Sequence, residues 1–427
     1  MVYRFLGVWT IYWLVVAILP VSSIYPATNE ALLLQMCFVF LVVVAFAVIV
    51  AESNVPPGLR NNADIPYALQ LIWTSIVLSL VGLISLAYDK IMIQGIDFSQ
   101  GLAAARLQWS DLAAAREGRP SSIFSIAGYV LGSCYYVATM LAVAQRRAVS
   151  LTHRSAALAA SFLLVLANSA LTGGRSGLLL WAVFVFAAWG ARQGARPQDV
   201  HTSPFWRISI AVVLAIAVGY ILFIFYQRAN LTNDPLDHYA LEFLPFLGLE
   251  AAPWYAEWVD GAAFGDLTAV LVLAASYLTH SFATVAAILD APTEDKTILF
   301  FHALDMMSRL GLKPRPDGDW FLAGRFPSVP GALWHQFGPS GFIVGSLAIG
   351  AICALAKVWY AQRPTRILPI GGYVAAETTL MLTPALLSFD VLGFPFALVG
   401  FAILAAWHSL WNSRLLRAKH GAVAAKT

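Results

Sequence analysis

Apolar runs of membrane-crossing length alternate with short polar breaks through the first half of the chain and return at its C-terminal end. A hydrocarbon core of about 30 Å takes roughly 20 apolar residues in a helix. That length predicts spans at 4–24, 30–51, 66–88, 123–145, 155–171, 174–191, 208–226, 339–356, 367–389 and 392–411. The first begins behind Arg4 with no clean small-residue cleavage site after it, and is expected to be a retained anchor. From Ser155 to Ala191 the only charge is Arg175, and the run is too long for one crossing. Gly173-Gly174 divides it into two short helices that meet at a membrane surface.

The polar stretch between 226 and 339 holds a further apolar run, 266–289. One more crossing there would put Lys357, Arg363, Arg366 and the basic C-terminus on the outer side. The run is therefore expected to be a buried or re-entrant helix inside an outer domain. Residues 241–258, with Trp254, Tyr255 and Trp258 beside Glu250 and Glu257, suit an amphipathic helix at the interface. A second outer segment, 89–122, carries Arg106, Asp111, Arg116 and Arg119 on an expected helix. Three regions follow: an N-terminal membrane region of seven spans, 1–226; an outer, periplasmic domain with amphipathic or re-entrant helices, 227–338; and a C-terminal membrane region of three spans, 339–427.

Composition agrees with that pattern. Of 427 residues 59% are hydrophobic and 11% charged, with a mean hydropathy of +0.73, whereas soluble domains carry about 25% charged residues. The expected fold class is an all-α polytopic membrane protein of about ten transmembrane helices with a large outer helical domain. Cys37, Cys134 and Cys353 all lie in apolar runs, which points to packing rather than to disulfides or metal. A net charge of +3 is too small to point to nucleic acid.

Charge placement sets the orientation. With the N-terminus inside, the inner segments hold 15 Lys and Arg against three acids, and the rest of the chain 11 basic against 20 acidic residues. That asymmetry satisfies the positive-inside rule and puts both termini in the cytoplasm.

Polar chemistry collects on the outer side. Within the spans Glu377 is the main ionisable group, with Asp390 near an outer end, fewer than an ion-coupled carrier needs. Thr172-Gly173-Gly174-Arg175-Ser176-Gly177 joins a close-approach turn, the start of a helix and a guanidinium: an anion site for phosphate or diphosphate, or a turn whose arginine snorkels to headgroups. The stretch 313–341 is dense in Gly, Pro, Trp, Arg and His, and its aromatic faces beside charged hydrogen-bonders suit sugars. Asp317-Gly318-Asp319 reads as a polar turn, because nucleotide sugars are absent outside the cytoplasm. Gly338-Pro339-Ser340-Gly341 matches a rhomboid-protease serine motif, but His408 and His420 fall at the wrong end to serve it. Gly341 and Gly345 are expected to allow close helix packing.

Ala332-Leu333-Trp334-His335-Gln336-Phe337-Gly338-Pro339-Ser340-Gly341 resembles the signature of Wzy-type oligosaccharide repeat-unit polymerases, in which a Leu-aromatic stretch runs into Phe-Gly-x-x-Gly at the start of a late span. Thr172–Gly177 resembles the Gly-x-Arg-x-Gly element of that family, and Arg228 and Ser276-Tyr277-Leu278 are similar to family positions. The resemblance covers nearly the whole chain and rests on the order and spacing of short motifs. It implies a C-type glycosyltransferase-like fold acting at the outer face of a bacterial inner membrane. The implied substrates are polyprenyl-diphosphate-linked glycans, with no cofactor, nucleotide sugar or obligatory metal, and a chain-length regulator is a further candidate partner. Related O-antigen ligases carry a His-Asn pair where this chain has Pro327-Ser328, a departure that favours polymerase. Polymerases in turn often have an acid where Gln336 stands.

In that reading an acceptor hydroxyl attacks the anomeric carbon and lipid diphosphate leaves. Arg175, Arg228 and Arg325 are the candidates for the donor diphosphate, where charge develops. His335 and Glu257 are the candidates for the general base. Arg106, Tyr277 and Trp334 are the candidates for the glycan. The alternatives are an O-antigen ligase-type transferase and, from another class, a lipid-linked glycan flippase, which calls for a cationic cavity among the spans.

Overall fold

In hydrocarbon each backbone N–H and C=O must find its partner within the spanning segment, so apolar runs of this length fold as helices. The computed structural model describes residues 1–53, 65, 67–115, 121–145, 148–172, 174, 176–192, scattered positions from 215 to 229, 235–262, 264–291, 298–301, 304, 307, 325–391 and 393–424. In chain order the helices are α1 (Val2–Ile18), α2 (Thr28–Glu52), α3 (Ala68–Tyr88), α4 (Leu102–Ala115), α5 (Ile123–Gly132), α6 (Cys134–Ala144), α7 (Leu151–Thr172), α8 (Ser176–Arg192), α9 (Leu236–Phe243), α10 (Pro253–Gly261), α11 (Gly265–Thr279), α12 (Ser281–Asp290), α13 (Ser328–Gln362), α14 (Ile367–Leu382) and α15 (Gly393–Ala424). Among the described residues two short strands, β1 (Val21–Ser23) and β2 (Leu249–Ala251), pair antiparallel with Ser22 opposite Glu250.

Among the described residues six helical stretches are long and apolar enough to cross a membrane: Thr28–Glu52, Ala68–Ile93, Ile123–Ala144, Leu151–Thr172, Ser328–Gln362 and Gly393–Trp411. Val2–Ile18, Ser176–Ala191 and Ile367–Leu382 are shorter apolar helices, and α11 with α12 makes a seventh candidate if the bent pair counts as one. The chain is a predominantly α-helical, multi-pass membrane protein. Most of the expected span 208–226 lies outside the described residues.

Side-chain contacts give the bundle two distinct ends. At one, Arg4 of α1 meets Glu377 of α14 and the carbonyl of Phe186 in α8, and Tyr360 of α13 donates to the carbonyl of Ala191. Trp9, further along α1, donates through Nε1 to Thr383 Oγ1 (3.1 Å), just beyond α14. Arg4 with Glu377 and Trp9 with Thr383 advance together, so α1 and α14 run parallel. At the opposite end lie β1 and β2, and the start of α13, where Ser328 and Val329 donate to the carbonyls of Ala385 and Thr383.

Several expected elements differ in detail. The first helix stops at Ile18 rather than 24, because Pro20 forces Leu19 into extended backbone (φ −62°, ψ 136°) and frees residues 21–23 to pair as a strand. Residues 241–258 are not one amphipathic helix. Pro245 opens a 3-10 turn, Gly248 takes a left-handed conformation (φ 78°), and α10 restarts at Pro253 after β2. The run 266–289 is two helices meeting at His280 with a 52° bend. The span expected at 339–356 begins eleven residues early as helix, at Ser328, and kinks at Gly338 (φ 65°, ψ −167°), where Pro339 follows. Gly341 and Gly345 serve this kink: a Cβ on either would collide with Phe337 or Leu333 of the turn before it.

Candidate functional site

The glycine-rich turn closes α7 and opens α8. Gly174 N–H donates to the carbonyl of Ser169 (3.1 Å), the six-to-one bond of a Schellman-type stop, and Thr172 Oγ1 donates back to Asn168 (2.9 Å). Beyond it the first backbone N–H groups of α8 have no intrahelical acceptor, as at any helix start. Tyr136 of α6 supports this end from below, its hydroxyl donating to the carbonyl of Gly177 (3.2 Å). Ser169 is buried, and its Oγ stands 3.1 Å from the place a Cβ on Gly177 would take. From above, Arg106 of α4 donates through Nη1 to the carbonyl of Thr172 (3.3 Å). Arg175 itself and Arg228 lie outside the described residues.

A second cluster forms around Arg325. Its Nη1 donates to the Tyr25 hydroxyl (2.8 Å), its Nη2 to the carbonyl of Pro245 (3.4 Å), and its guanidinium faces the ring of Phe246 at 5.9 Å. Gly248 is needed here, because a side chain would press on Tyr25 and on Arg325 Nη1. The next residue, Phe326, donates its N–H to His280 Nε2 (3.0 Å), while His280 Nδ1 lies 2.8 Å from the carbonyl of Tyr277. A ring that donates at Nδ1 and accepts at Nε2 is a neutral imidazole with one defined tautomer. Tyr277 packs edge-on against Phe326 (centroids 6.1 Å apart) and against Phe225 (6.3 Å). Arg325 and Tyr277, drawn from separate motifs, thus belong to one cationic and aromatic cluster beside the β1–β2 pair.

The remaining candidates lie on other elements. Glu257 is exposed on α10, whose Trp254 and Trp258 also face outward at 65% and 47% exposure. His335 is 3% exposed, within the first turns of α13 before the kink. Its neighbour Trp334 is half-buried with its ring against Phe342 (6.0 Å). Gln336 accepts the N–H groups of Ile298 (3.2 Å) and Leu299 (2.9 Å) and so ties that segment to α13. Among the described residues no group of three or more His, Cys, Asp or Glu is placed to hold a metal ion.

Sequence reasoning missed Tyr25 and His280. Tyr25 falls in the short break between the expected spans 4–24 and 30–51, and His280 is a lone histidine in an apolar run, a pattern that seldom marks a site. The signal for His280 lay three residues away, in Ser276-Tyr277-Leu278. Comparison with protein families, with curated proteins and with solved structures found no match to this chain in any of the three.

Proposed function

We propose that this protein is a glycosyltransferase of ten spans that joins polyprenyl-diphosphate-linked oligosaccharide repeat units at the periplasmic face of a bacterial inner membrane. The observation that carries the reading is the meeting of Tyr277 and Arg325, through His280 and Phe326, at the end of the bundle opposite Arg4 and Glu377. Tyr277 belongs to a motif that resembles a family position, and Arg325 stands in the aromatic and basic stretch 313–341 that leads into α13.

Chain direction supports the span count. Residue 191 lies at the Arg4 end of the bundle and β2 lies at the β1 end, so the chain passes from one end to the other between them. The crossing expected from the sequence at 208–226, most of which lies outside the described residues, would accomplish this. Between β2 and Arg325 the chain starts and finishes at the same end, because Arg325 bonds Tyr25 and the carbonyl of Pro245. The bent pair α11–α12 is then a re-entrant element of the outer domain and not an eleventh span.

The chemistry is one displacement. The acceptor hydroxyl oxygen forms a bond to the donor's anomeric carbon, the bond from that carbon to the diphosphate breaks, and the electron pair leaves on the diphosphate. The hydroxyl proton passes to a base. Charge grows on the leaving group, so fixed cations there contribute most, and Arg175, Arg228 and Arg325 are assigned that role. Glu257 and His335 remain the candidates for the base. Tyr277 and Trp334 offer ring faces to the glycan. The purified full chain, given a short lipid-diphosphate repeat unit and no nucleotide sugar, is expected to build a ladder of products. A single adduct on a lipid A core would assign it to the ligases instead, and no transfer to any acceptor would overturn the enzyme reading.

A further inference from the structure

We infer that Arg106, on the outer helix α4, is a second cation of the diphosphate site at the glycine turn, and that Asp89, Lys90 and Trp109 position it there. The inference rests on the proposed reading and changes the place of Arg106 in it, from the glycan to the phosphate.

The start of α8 is the anion-binding feature, and two further observations point to a ligand. The first is Ser169, 1% exposed and with no hydrogen-bond partner for its hydroxyl. This Oγ faces the first turn of α8 across Gly177, where any larger side chain would crowd it. The second is the guanidinium of Arg106, already bonded to the carbonyl of Thr172 and 3.9 Å from the place of a Cβ on Gly174. A planar fork of five N–H donors serves a helix-terminal carbonyl and a phosphate oxygen together, which a point-charge ammonium does not. The site therefore offers helix-start amides, a buried hydroxyl and a guanidinium from a different element.

The segment that delivers Arg106 is fastened at both of its ends. At the end of α3 the backbone widens into a π-helical turn, Asp89–Ile93. The Asp89 carboxylate is buried there and accepts hydrogen bonds from Gln94 Nε2, at the start of the segment, and from Ser121 Oγ and Ser122 Oγ (2.6 Å), at its finish. Lys90 is 1% exposed, with Nζ 3.9 Å from the centre of the Trp109 ring. Trp109 stands three residues after Arg106 and so on the same side of α4. Seating Trp109 on Lys90 turns that side of the helix toward the bundle, and Arg106 toward the glycine turn.

The test is calorimetric titration of inorganic pyrophosphate into the full chain in phosphatidylcholine nanodiscs, with the polymer ladder as a separate readout. Arg106→Ala is expected to weaken pyrophosphate binding about tenfold or more, as loss of a charged hydrogen bond does. Arg106→Lys should recover only part of this, and Gly177→Ala, which crowds Ser169 without touching a charge, should weaken binding too. Trp109→Leu should weaken binding in the parent chain and add little to Arg106→Ala, the mark of a positioning residue. Unchanged affinity in both Arg106 variants would overturn the inference while a ladder from the parent chain left the transferase reading standing. Arg106-dependent binding in a chain that transfers no glycan would do the reverse. Loss of pyrophosphate binding on exchanging phosphatidylcholine for phosphatidylglycerol would assign Arg106 to bilayer headgroups and overturn it.

Discussion

Arg4 Nη1 stands 2.9 Å from Glu377 Oε1, joining α1 to α14 across most of the sequence. Glu377 is 1% exposed and Arg4 20%, so the carboxylate has left water and the guanidinium has only partly done so. Arg4 also bonds the carbonyl of Phe186 (3.0 Å) and reaches the Tyr373 hydroxyl (3.4 Å), which draws α8 into the same junction. The intramembrane carboxylate thus has a structural partner on another helix.

Breaking a buried pair from one side leaves an uncompensated charge and typically costs about 3 kcal/mol or more. Arg4→Ala, which strands the buried Glu377, is expected to destabilise the detergent-solubilised protein by about that amount in denaturant unfolding. Glu377→Gln should cost less, because Arg4 retains some water. The double variant should be less damaged than the two single losses added together. Additive losses would mean that the two side chains do not act as a pair.

Gly190 exists for Arg4. A Cβ there would fall within the guanidinium of Arg4, so alanine cannot be accommodated without moving the arginine. Gly190→Ala should destabilise by about 1–3 kcal/mol, the usual range for overpacking, although alanine is otherwise the better helix former. In an Arg4→Ala background the sign should reverse. An equal cost in both backgrounds would refer the strain to some other neighbour.

The two ends of the bundle give a direct test of orientation. Glu250 is exposed in β2, and Arg363 is exposed just after α13, at the end where Tyr360 meets Ala191. In a functional chain without other accessible thiols, Glu250→Cys should react with an impermeant maleimide on intact spheroplasts. Arg363→Cys should react only after permeabilisation. The opposite pattern would invert the proposed topology, and labelling of both from one side would break the argument from chain direction.

How far the fold was legible follows from the kind of signal each element carries. Runs such as 30–51 and 123–145 were readable because membrane crossing demands length and apolarity that little else demands. Breaks inside apolar sequence were harder. Nothing in the composition of 266–289 marks His280 as a bend, because the two hydrogen bonds that hold its ring come from backbone groups of Tyr277 and Phe326. The β1–β2 pairing joins segments more than two hundred residues apart and had no local pattern to reveal it. Arg106 was legible as a cation on a helix, but its bond to the carbonyl of Thr172 at the glycine turn had no signal in the sequence, and no periodicity predicts the burial of Asp89 and Lys90 in a π-helical turn.

The two candidates for the base make opposite demands, and the structure separates them by access. A general base must come within hydrogen-bond reach of the incoming hydroxyl. His335 is enclosed in the first turns of α13, whereas Glu257 is exposed on α10, as are Trp254 and Trp258, on the segment that follows β2. Glu257→Gln is therefore expected to slow glycosyl transfer by about a hundredfold or more, in line with loss of a positioned base, with little change in unfolding. His335→Gln is expected to lower stability while leaving transfer by the folded protein near the parent rate. Should Glu257→Gln transfer at the parent rate and His335→Gln lose transfer at unchanged stability, the imidazole is the base, and α13 must open to admit the acceptor.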